Sequence, residues 1–430
     1  MAMGACQTSI WNMKVLIINT SERTGGAAVA AGRLAEALIN NGVKAKMLVG
    51  QKQTSTLYVA PVGQRLCYRL SFIWERAVIW LRNRLSKKNL FKVSIANTGV
   101  DITKTHEFRE ADIIHLHWVN QGLLSLKGIR KILQSGKPVV WTMHDMWEAT
   151  SICHHAYDCR HYEKTCGDCP FLQHPSQHDL AHQVYLKKQR VLEQADSLTF
   201  VAVSRWLAER AHSSSLIGRF PIEVIPNAIS LSRFTIIDRN DARSTLGVTE
   251  SVVLSYGAAR LDDPIKGFGY LAEALTLLTT SGRLHRDQVR LLLFGTVRDA
   301  TIFSRLPVPY THLGYIDEED RMSLVYSASN ATISSSLYET FGQTLIEAMA
   351  CGSVPVSFDG SGQTDIITHQ KNGFLAQRCS AESLAEGIMW AIDCQLTPQE
   401  LRRSVTRRYS ESIVANRYVE LYNHLLNTND

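Results

Sequence analysis

The chain has 430 residues, 45% of them hydrophobic and 20% charged, and its formal net charge is +6. This length exceeds what one hydrophobic core normally supports, so it predicts a globular protein of two domains. The mild positive charge is no reason by itself to expect a nucleic-acid-binding protein, and the absence of any run of about 18 apolar residues excludes a predicted transmembrane helix.

The first twelve residues, MAMGACQTSIWN, lack the basic start and apolar centre of a secretory signal. The first strand-like segment follows Met13, so residues 1–12 are interpreted as a tail or as the product of an upstream start. Without a signal peptide the protein is expected in the cytoplasm, where thiols stay reduced.

Short apolar runs alternate with helical patterns through the first half of the chain. The predicted strands are KVLIINT (14–20), KAKMLVG (44–50), ADIIHLHW (111–118), KPVVWTMHD (137–145), LTFVAVS (198–204) and IEVIPN (222–227). A glycine turn, TGG, follows the first run and opens a helix that ends near Gly42. Strands that alternate with helices predict βαβ units and a parallel sheet covered on both faces.

A second series of strands and helices begins near residue 252. It reads VVLSYGA, GFGYLAEALTLLTT, VRLLLFG, ATISSS, TLIEAMACG and VPVSFDG in chain order. We therefore predict two doubly wound α/β domains that face a cleft, with ligands at the carboxyl ends of the strands. The predicted domains are 13–227 and 228–410, and a final helix over 411–430 is expected to pack back towards the first domain.

Residues 65–92 interrupt the first domain with a basic amphipathic segment. It contains eight Arg or Lys residues and one Glu. Its apolar residues at helical spacing are Leu66, Leu70, Ile73, Ala77, Trp80 and Leu81, with Phe72 and Trp74 beside them. A basic helix with tryptophans favours contact with an anionic membrane surface. The alternative is a surface helix that packs on its own domain.

Four cysteines lie close together in SICHHAYDCRHYEKTCGDCP (151–170). They are Cys153, Cys159, Cys166 and Cys169, in the spacing C-x5-C-x6-C-x2-C. Four thiolates can close a tetrahedral zinc site, so we predict a structural zinc that pins a loop. An iron–sulfur cluster, disulfides and buried thiols remain alternatives.

The segment SLYETFGQTLIEAMACGSVPVSFDGSGQTDII (336–367) indicates the chemistry. Glu339 and Glu347 flank a predicted strand-to-helix turn. The backbone N–H groups of 340–343 are expected to begin the helix, and such groups donate hydrogen bonds to the oxygens of an anion such as phosphate. The two carboxylates could then bind hydroxyl groups on either side of a diphosphate.

This segment resembles the Glu-x7-Glu motif of the retaining glycosyltransferases of family 4, which have the GT-B fold. The resemblance extends over nearly the whole chain from Met13. It implies that Glu339 contacts the donor sugar and that Glu347 binds the ribose of the nucleotide. The donor-binding turn and helix start implied by the motif are Phe341, Gly342, Gln343 and Thr344.

The resemblance assigns further residues to the donor site. Arg260 and Lys266, in YGAARLDDPIKGFGYLAEAL, match the cations that hold the diphosphate. Gly25 and Gly26 match the glycine pair that lets the backbone approach the donor phosphate. His144, after a predicted strand, matches a histidine that contacts the donor sugar near the reacting carbon. The catalytic set implied by the resemblance is Glu339, His144, Lys266 and Arg260.

Several other positions are less specific. Asp145 is a weaker polar candidate, and Ser204 is explained equally well as a helix N-cap. Ser230, Gln343 and Asp365 depart from the residues common in the family, which leaves the sugar undefined. The cysteine spacing after His144–Trp147 resembles a cysteine-bearing subgroup similar to bacterial exopolysaccharide and colanic-acid glycosyltransferases.

The resemblance implies transfer of a hexose from a UDP- or GDP-sugar with retention and without a catalytic metal. The implied acceptor is a bacterial surface glycan or a lipid-linked oligosaccharide, and the basic helix favours peripheral membrane contact on the cytoplasmic side. Three other classes of protein are alternatives: a zinc-dependent hydrolase, a nucleic-acid-binding module and a non-catalytic nucleotide-sugar-binding protein. A closed four-cysteine site disfavours the hydrolase, and two complete α/β domains disfavour the nucleic-acid module.

Overall fold

The computed structural model describes residues 13–63 and 65–428, so the interpretation of residues 1–12 lies outside the described residues. The chain divides into two compact units. Unit 1 comprises the chain up to Ala228 together with the segment from Val414 onward, and unit 2 comprises Ile229–Ile413. The predicted boundaries, after residues 227 and 410, lie within a few residues of these divisions.

Unit 1 is built on a parallel sheet of seven strands. The strands are β1 (Lys14–Ser21), β2 (Lys44–Gln51), β3 (Val59–Pro61), β4 (Ile113–Leu116), β5 (Val139–Met143), β6 (Leu198–Ala202) and β7 (Ile222–Val224). Their order is β3-β2-β1-β4-β5-β6-β7, and every pair is parallel. The helices of this half are α1 (Gly26–Asn40), α2 (Arg65–Arg82), α3 (His106–Glu110), α4 (Leu126–Leu133), α5 (Leu180–Leu192) and α6 (Arg205–His212).

Unit 2 is built on a second parallel sheet, of six strands. In chain order its elements are α7 (Arg239–Leu246), β8 (Val252–Arg260), α8 (Phe268–Thr280), β9 (Val289–Thr296), β10 (Tyr310–His312), α9 (Glu319–Ala328), β11 (Ala331–Ser334), α10 (Gln343–Ala350), β12 (Val354–Phe358), β13 (Phe374–Ala376), α11 (Ala381–Asp393) and α12 (Pro398–Tyr409). The strand order is β10-β9-β8-β11-β12-β13. The order reverses at β8, and in open sheets of this kind ligands bind at such a point.

The last helix, α13 (Glu411–Asn427), returns the chain to unit 1. Val414, Tyr418 and Tyr422 join the hydrophobic core that contains β1, α1 and β2. Both tyrosines are buried, and each donates or accepts a hydrogen bond at the sheet: Tyr422 with His115 at 2.7 Å and Tyr418 with Thr142 at 2.9 Å. The end of the chain is therefore part of the core of unit 1.

The predicted doubly wound α/β architecture is confirmed, and the central strands lie where the apolar runs predicted them. The strands missing from the prediction are β3, β10 and β13, which are three residues long and lie at sheet edges. Strands of three residues are too short to show a buried apolar run. Within the described ranges, no helix has the length and apolar character needed to cross a membrane.

Candidate active site

In unit 2, the fold brings together two of the predicted site residues that are 73 positions apart in the chain. Lys266 Nζ donates to Glu339 Oε2 at 2.9 Å, and both side chains are about a quarter exposed. Lys266 lies in the loop after β8, and Glu339 lies in the loop after β11, the strand next to β8. Because the carboxyl ends of parallel strands share one edge, these loops meet there.

The backbone of the Lys266 loop is held from several sides. Tyr256 Oη donates to Lys266 O at 2.6 Å, and Ser335 Oγ donates to the same carbonyl at 3.2 Å. The N–H of Leu337 donates to Ile265 O at 2.8 Å, which ties this loop to the one that carries Glu339. The position of the ammonium group is thus set by buried contacts of the main chain beneath it.

The glycine after Lys266 permits this close approach. Gly267 has φ of +70°, and a Cβ there would lie 2.0 Å from Ser335 O. A left-handed backbone conformation packed against a carbonyl is possible only without a side chain. Gly267 is also the residue that precedes α8, so it sets where that helix starts.

The α10 helix begins later than the sequence predicted. Its first residue is Gln343, and Gly342 precedes it with φ of +107°. Thr340 and Phe341 lie in the turn before the helix and are buried, with Phe341 packed edge-on against Tyr409. The prediction that the helix begins within 340–343 is therefore correct only for its last position, because the positive φ of Gly342 is incompatible with a helical turn.

The N-terminal turn of α10 contains Gln343 and Thr344, which are half-buried. Glu347 lies one turn further on, is 8% exposed and accepts a hydrogen bond from Tyr326 Oη at 3.1 Å. The two glutamates therefore have different surroundings: Glu339 is paired with a cation, whereas Glu347 is buried beside a phenol. A helix N-terminus attracts anions, and Lys266 places a positive charge at the Glu339 turn that precedes it.

Arg260 forms ion pairs within its own loop. It ends β8, and its guanidinium contacts Asp262 at 3.6 Å and Asp263 at 3.1 Å. Its side chain is one third exposed. Lys266 is thus paired with Glu339, whereas Arg260 is paired with two aspartates of its own loop.

In unit 1, the predicted glycine pair lies where α1 begins. Gly25 has φ of +92° and precedes the helix, and Gly26 is its first residue. A Cβ built on either glycine would meet nothing within 4 Å. The side of this turn that the missing side chains would occupy is therefore open, which is the geometry that lets a phosphate approach the backbone.

His144 directly follows β5 and is paired with another histidine. Its Nε2 lies 2.8 Å from His117 Nδ1, and the two rings stack with centroids 5.0 Å apart. His117 is 1% exposed and comes from the end of β4, the neighbouring strand. The spacing in HLHW signals a histidine at that strand end, but the sequence does not show that it meets His144.

Asp145 organises the segment after His144. Its carboxylate accepts hydrogen bonds from the indole of Trp118 at 2.8 Å and from the N–H of Trp147 at 2.7 Å, and it pairs with His154 at 2.8 Å. Burial alone would raise the pKa of Asp145, but the charge and hydrogen bond of His154 hold it below the ordinary value. Asp145 is thus satisfied inside the protein, which indicates a structural contribution.

The three clustered histidines predict that unit 1 loses stability in acid. Burial lowers the pKa of His115 to about 3 and that of His144 to about 4, and it holds the pKa of His117 well below its ordinary value. The unfolded chain, with histidine pKa values near 6.5, binds protons that these buried rings do not. This contribution to the free energy of unfolding is nearly complete above about pH 7 and should fall by about 4 kcal/mol between about pH 7 and 5.5. Urea unfolding at the two pH values measures it, and His115→Gln should remove about a third of the fall. A pH-independent free energy would contradict this account.

The four cysteines line one small cavity of about 20 Å³. All are free thiols; Cys153, Cys166 and Cys169 are buried and Cys159 is half-buried. Burial raises the pKa of Cys166 to about 11 and that of Cys169 to about 12. The disulfide alternative is not seen. In the part of the chain that the structure describes, no group of three or more His, Cys, Asp or Glu side chains has the arrangement of a metal site.

Three minor candidates have plain structural positions. Ser204 caps α6, where its Oγ accepts the N–H of Leu207 at 3.2 Å. Ser230 is buried and lies 3.0 Å from the hydroxyl of Ser232. The carbonyl of Asp365 accepts hydrogen bonds from Arg408 and Tyr409. The N-cap interpretation of Ser204 is therefore confirmed.

Two glycosyltransferase family profiles and several known glycosyltransferases match this sequence. The sequence profile of Glycosyltransferase Family 4 matches residues 24–233, and that of Glycosyl transferases group 1 matches residues 237–408. A protein of Escherichia coli K12 assigned to colanic acid biosynthesis as the glycosyl transferase WcaC is 22% identical over 84% of this chain and 86% of its own length. A phosphatidyl-myo-inositol mannosyltransferase of Mycobacterium tuberculosis is 28% identical over 52% of this chain and 58% of its own.

Solved structures share the fold at low identity. Sucrose-phosphate synthase from Thermosynechococcus elongatus has a TM-score of 0.67 and 18% identity, over 97% of this chain and 100% of the other. Anabaena Alr3699/HepE, solved in complex with UDP and glucose, has a TM-score of 0.60 and 17% identity, over 96% and 100%. The two profiles together cover most of the sequence: the first contains β2–β7 of unit 1, and the second contains all six strands of the sheet of unit 2. The chain belongs to glycosyltransferase family 4 and is a transferase with the GT-B fold.

Proposed function

We propose that the protein transfers a hexose from a UDP- or GDP-sugar to a hydroxyl group of a glycan or lipid-linked oligosaccharide, with retention, in the synthesis of a bacterial surface polysaccharide. The observation that carries the proposal is the Lys266–Glu339 pair before the N-terminus of α10. It puts a cation, a carboxylate and the N-terminus of a helix in one place, the combination that a sugar diphosphate requires. The resemblance to WcaC and the UDP complexes of Alr3699/HepE support the substrate classes.

The proposed chemistry uses charge stabilisation and orientation. The bond between the anomeric carbon and the diphosphate oxygen breaks, and the acceptor oxygen bonds to that carbon from the same face. The acceptor proton passes to the leaving diphosphate. Lys266 and Arg260 stabilise the growing negative charge, and Glu339 holds the sugar hydroxyls, so no protein nucleophile and no catalytic metal is required.

In this proposal Glu347 binds the ribose. The turn at the start of α10 surrounds the diphosphate, and it is formed by Phe341, Gly342, Gln343 and Thr344. Gly25 and Gly26 supply backbone at the open turn before α1, and His144 contacts the sugar near the anomeric carbon. The His117 contact holds the ring of His144 in one orientation, which a group acting on a single sugar carbon needs.

The proposal is tested with a panel of UDP- and GDP-sugars. A genuine donor at a hundredfold excess over its Kd should stabilise the protein by about 2.7 kcal/mol, and release of nucleoside diphosphate should follow when a glycan acceptor is added. Stabilisation without release under any acceptor would identify a nucleotide-sugar-binding protein instead. Absence of both effects for the whole panel would reject the proposal.

We also propose a structural zinc held by Cys153, Cys159, Cys166 and Cys169. Its support is that the four thiols line the same cavity and that sulfur is a preferred zinc ligand. Neighbouring groups already fix the segment: the N–H of Cys169 donates to Asp179 Oδ2 at 2.8 Å. Such a metal would pin the loop after Asp145 and take no part in the transfer. Elemental analysis should find stoichiometric zinc, and this zinc should be lost in the variant Cys153→Ser/Cys169→Ser. Stoichiometric iron would instead indicate an iron–sulfur cluster. A protein that contains no zinc and no iron would reject the proposed metal site.

The proposed location is the cytoplasm, with peripheral contact at the inner face of the cell membrane.

A further inference from the structure

The α2 helix packs on unit 1 through polar side chains. Glu75 is fully buried, and its Oε1 accepts the N–H groups of Ile95 and Ala96 at 2.8 and 2.9 Å. Arg76 pairs with Glu75 at 3.0 Å and donates to the carbonyls of Leu90 and Val93. These groups satisfy the backbone of the segment 90–96, which explains why charged residues of the helix face inward.

On this inward side the backbone of α2 packs closely against the chain at Gly122. Gly122 has φ of +82°, and a Cβ there would lie 2.5 Å from the backbone nitrogen of Phe72. Tyr68 and Ile79 are buried on the same side. The orientation of α2 is therefore fixed by tight contact and by buried hydrogen bonds.

The opposite side of α2 is apolar and exposed. Its large side chains are between 57% and 69% exposed, and they are Leu66, Leu70, Ile73, Trp74 and Leu81. At helical spacing they fall within an arc of about 100°. Leu85 and Phe91, in the segment that follows, are exposed as well. The helix thus packs on its own domain, as the alternative interpretation has it, but its inward side carries Glu75 and Arg76 and its apolar side is left exposed.

The exposed charged residues of the segment 65–92 are all cationic. Residues 65–92 contain eight cationic residues and only one acid, Glu75. Since Glu75 is buried against Arg76, the exposed part of the segment carries cations without an acidic neighbour from the same segment. The exposed cationic residues are Arg65, Arg69, Arg82, Arg84, Lys87, Lys88 and Lys92.

We propose that this surface, formed by the outer side of α2 and the segment 84–91, docks the protein on an anionic lipid bilayer. Apolar side chains enter the interface while the cations meet lipid phosphates, as in helices that lie in the plane of a membrane. A second copy of the chain is a poorer occupant, since two such surfaces would bring their cations together. The docking does not depend on the identity of the sugar or the acceptor.

Docking at α2 is mechanically linked to the segment that contains His144. Val93 pairs with Cys153 in an antiparallel bridge, and the indole of Trp147 donates to Ser94 O at 2.9 Å. A bilayer bound at α2 would therefore be held at a fixed position relative to this part of unit 1. That arrangement suits an acceptor carried by a lipid.

The test is sedimentation of the full-length protein with phosphatidylcholine vesicles that contain or lack phosphatidylglycerol, without substrates. The parent should bind the anionic vesicles, and binding should weaken at high salt. Leu70→Ser/Trp74→Ser should reduce vesicle binding by at least about tenfold. Both residues are exposed, so an unchanged melting temperature confirms that the variant folds.

The matched control is Leu277→Ser, which removes an exposed leucine from α8 of unit 2 and should leave vesicle binding unchanged. The proposal is overturned if the parent stays in solution with anionic vesicles, or if the double variant binds as well as the parent. It is also overturned if the parent dimerises without binding lipid and the double variant is a monomer, since α2 would then join two chains. Because no donor is present, these outcomes are independent of the transferase assays.

Discussion

Lys266→Ala should lower the rate of sugar transfer by roughly 10²–10³-fold, the usual cost of removing one group that stabilises developing charge. The ammonium group lies 2.9 Å from Glu339 and is about a quarter exposed. A partly exposed ion pair contributes little to stability, about 0–1 kcal/mol. The loss should therefore appear in kcat and in affinity for the nucleoside diphosphate, with the melting temperature almost unchanged. Initial rates of diphosphate release and calorimetric titration with UDP or GDP measure both effects.

The matched control is Lys371→Ala, which removes an exposed lysine from the same unit. Its transfer rate should equal that of the parent. Glu339→Ala should also be strongly impaired, and the double variant Lys266→Ala/Glu339→Ala should lose less than the product of the two single losses because the residues act as one unit. A Lys266→Ala enzyme with the parent's rate would refute the proposed function of this site.

Gly267→Ala should destabilise unit 2 by at least about 3 kcal/mol, a value outside the range of most single substitutions. Two costs combine: the left-handed φ of +70° disfavours alanine, and the new Cβ would lie 2.0 Å from Ser335 O. The main chain must move to relieve the contact, and the adjacent Lys266 must move with it. The melting temperature of unit 2 should fall by about 6–12 °C, and donor affinity should fall as well. Calorimetry with and without nucleotide measures the two changes.

Gly269→Ala is the control for this substitution. Gly269 lies two residues away, in the first turn of α8, and a Cβ there would meet nothing within 4 Å. Alanine favours a helix over glycine, so this variant should be unchanged or more stable by about 0.5–1 kcal/mol. Equal melting temperatures for Gly267→Ala and the parent would show that the Ser335 contact relaxes freely and that the loop is not held as described.

Much of the fold followed from local pattern. The central strands of both sheets are buried on both faces, so they appear in the sequence as continuous apolar runs such as VVLSYGA and VRLLLFG. The first residue of α10 was harder to predict from the sequence, since a glycine before a helix permits several backbone conformations. The positive φ of Gly342 excludes Thr340 and Phe341 from the helix, and both are buried in the preceding turn.

The candidate site also combines residues that the sequence predicts with contacts that only the fold determines. The sequence identified Lys266 and Glu339 through a motif, but their contact depends on the adjacency of β8 and β11. The pairing of His144 with His117 likewise depends on the adjacency of β4 and β5. Strand order is a property of long-range pairing, which composition and periodicity do not encode locally.

The α2 segment shows most clearly which features the sequence determines and which features only the tertiary structure determines. By itself the sequence predicted a helix over about 65–92 with an apolar side and an excess of cations, because periodicity and charge are local properties. In the structure the helix is Arg65–Arg82. The sequence did not determine which side faces the protein. The tertiary structure decided that: the backbone groups of residues 90–96 need polar partners, Glu75 and Arg76 supply them, and the apolar side is consequently left exposed.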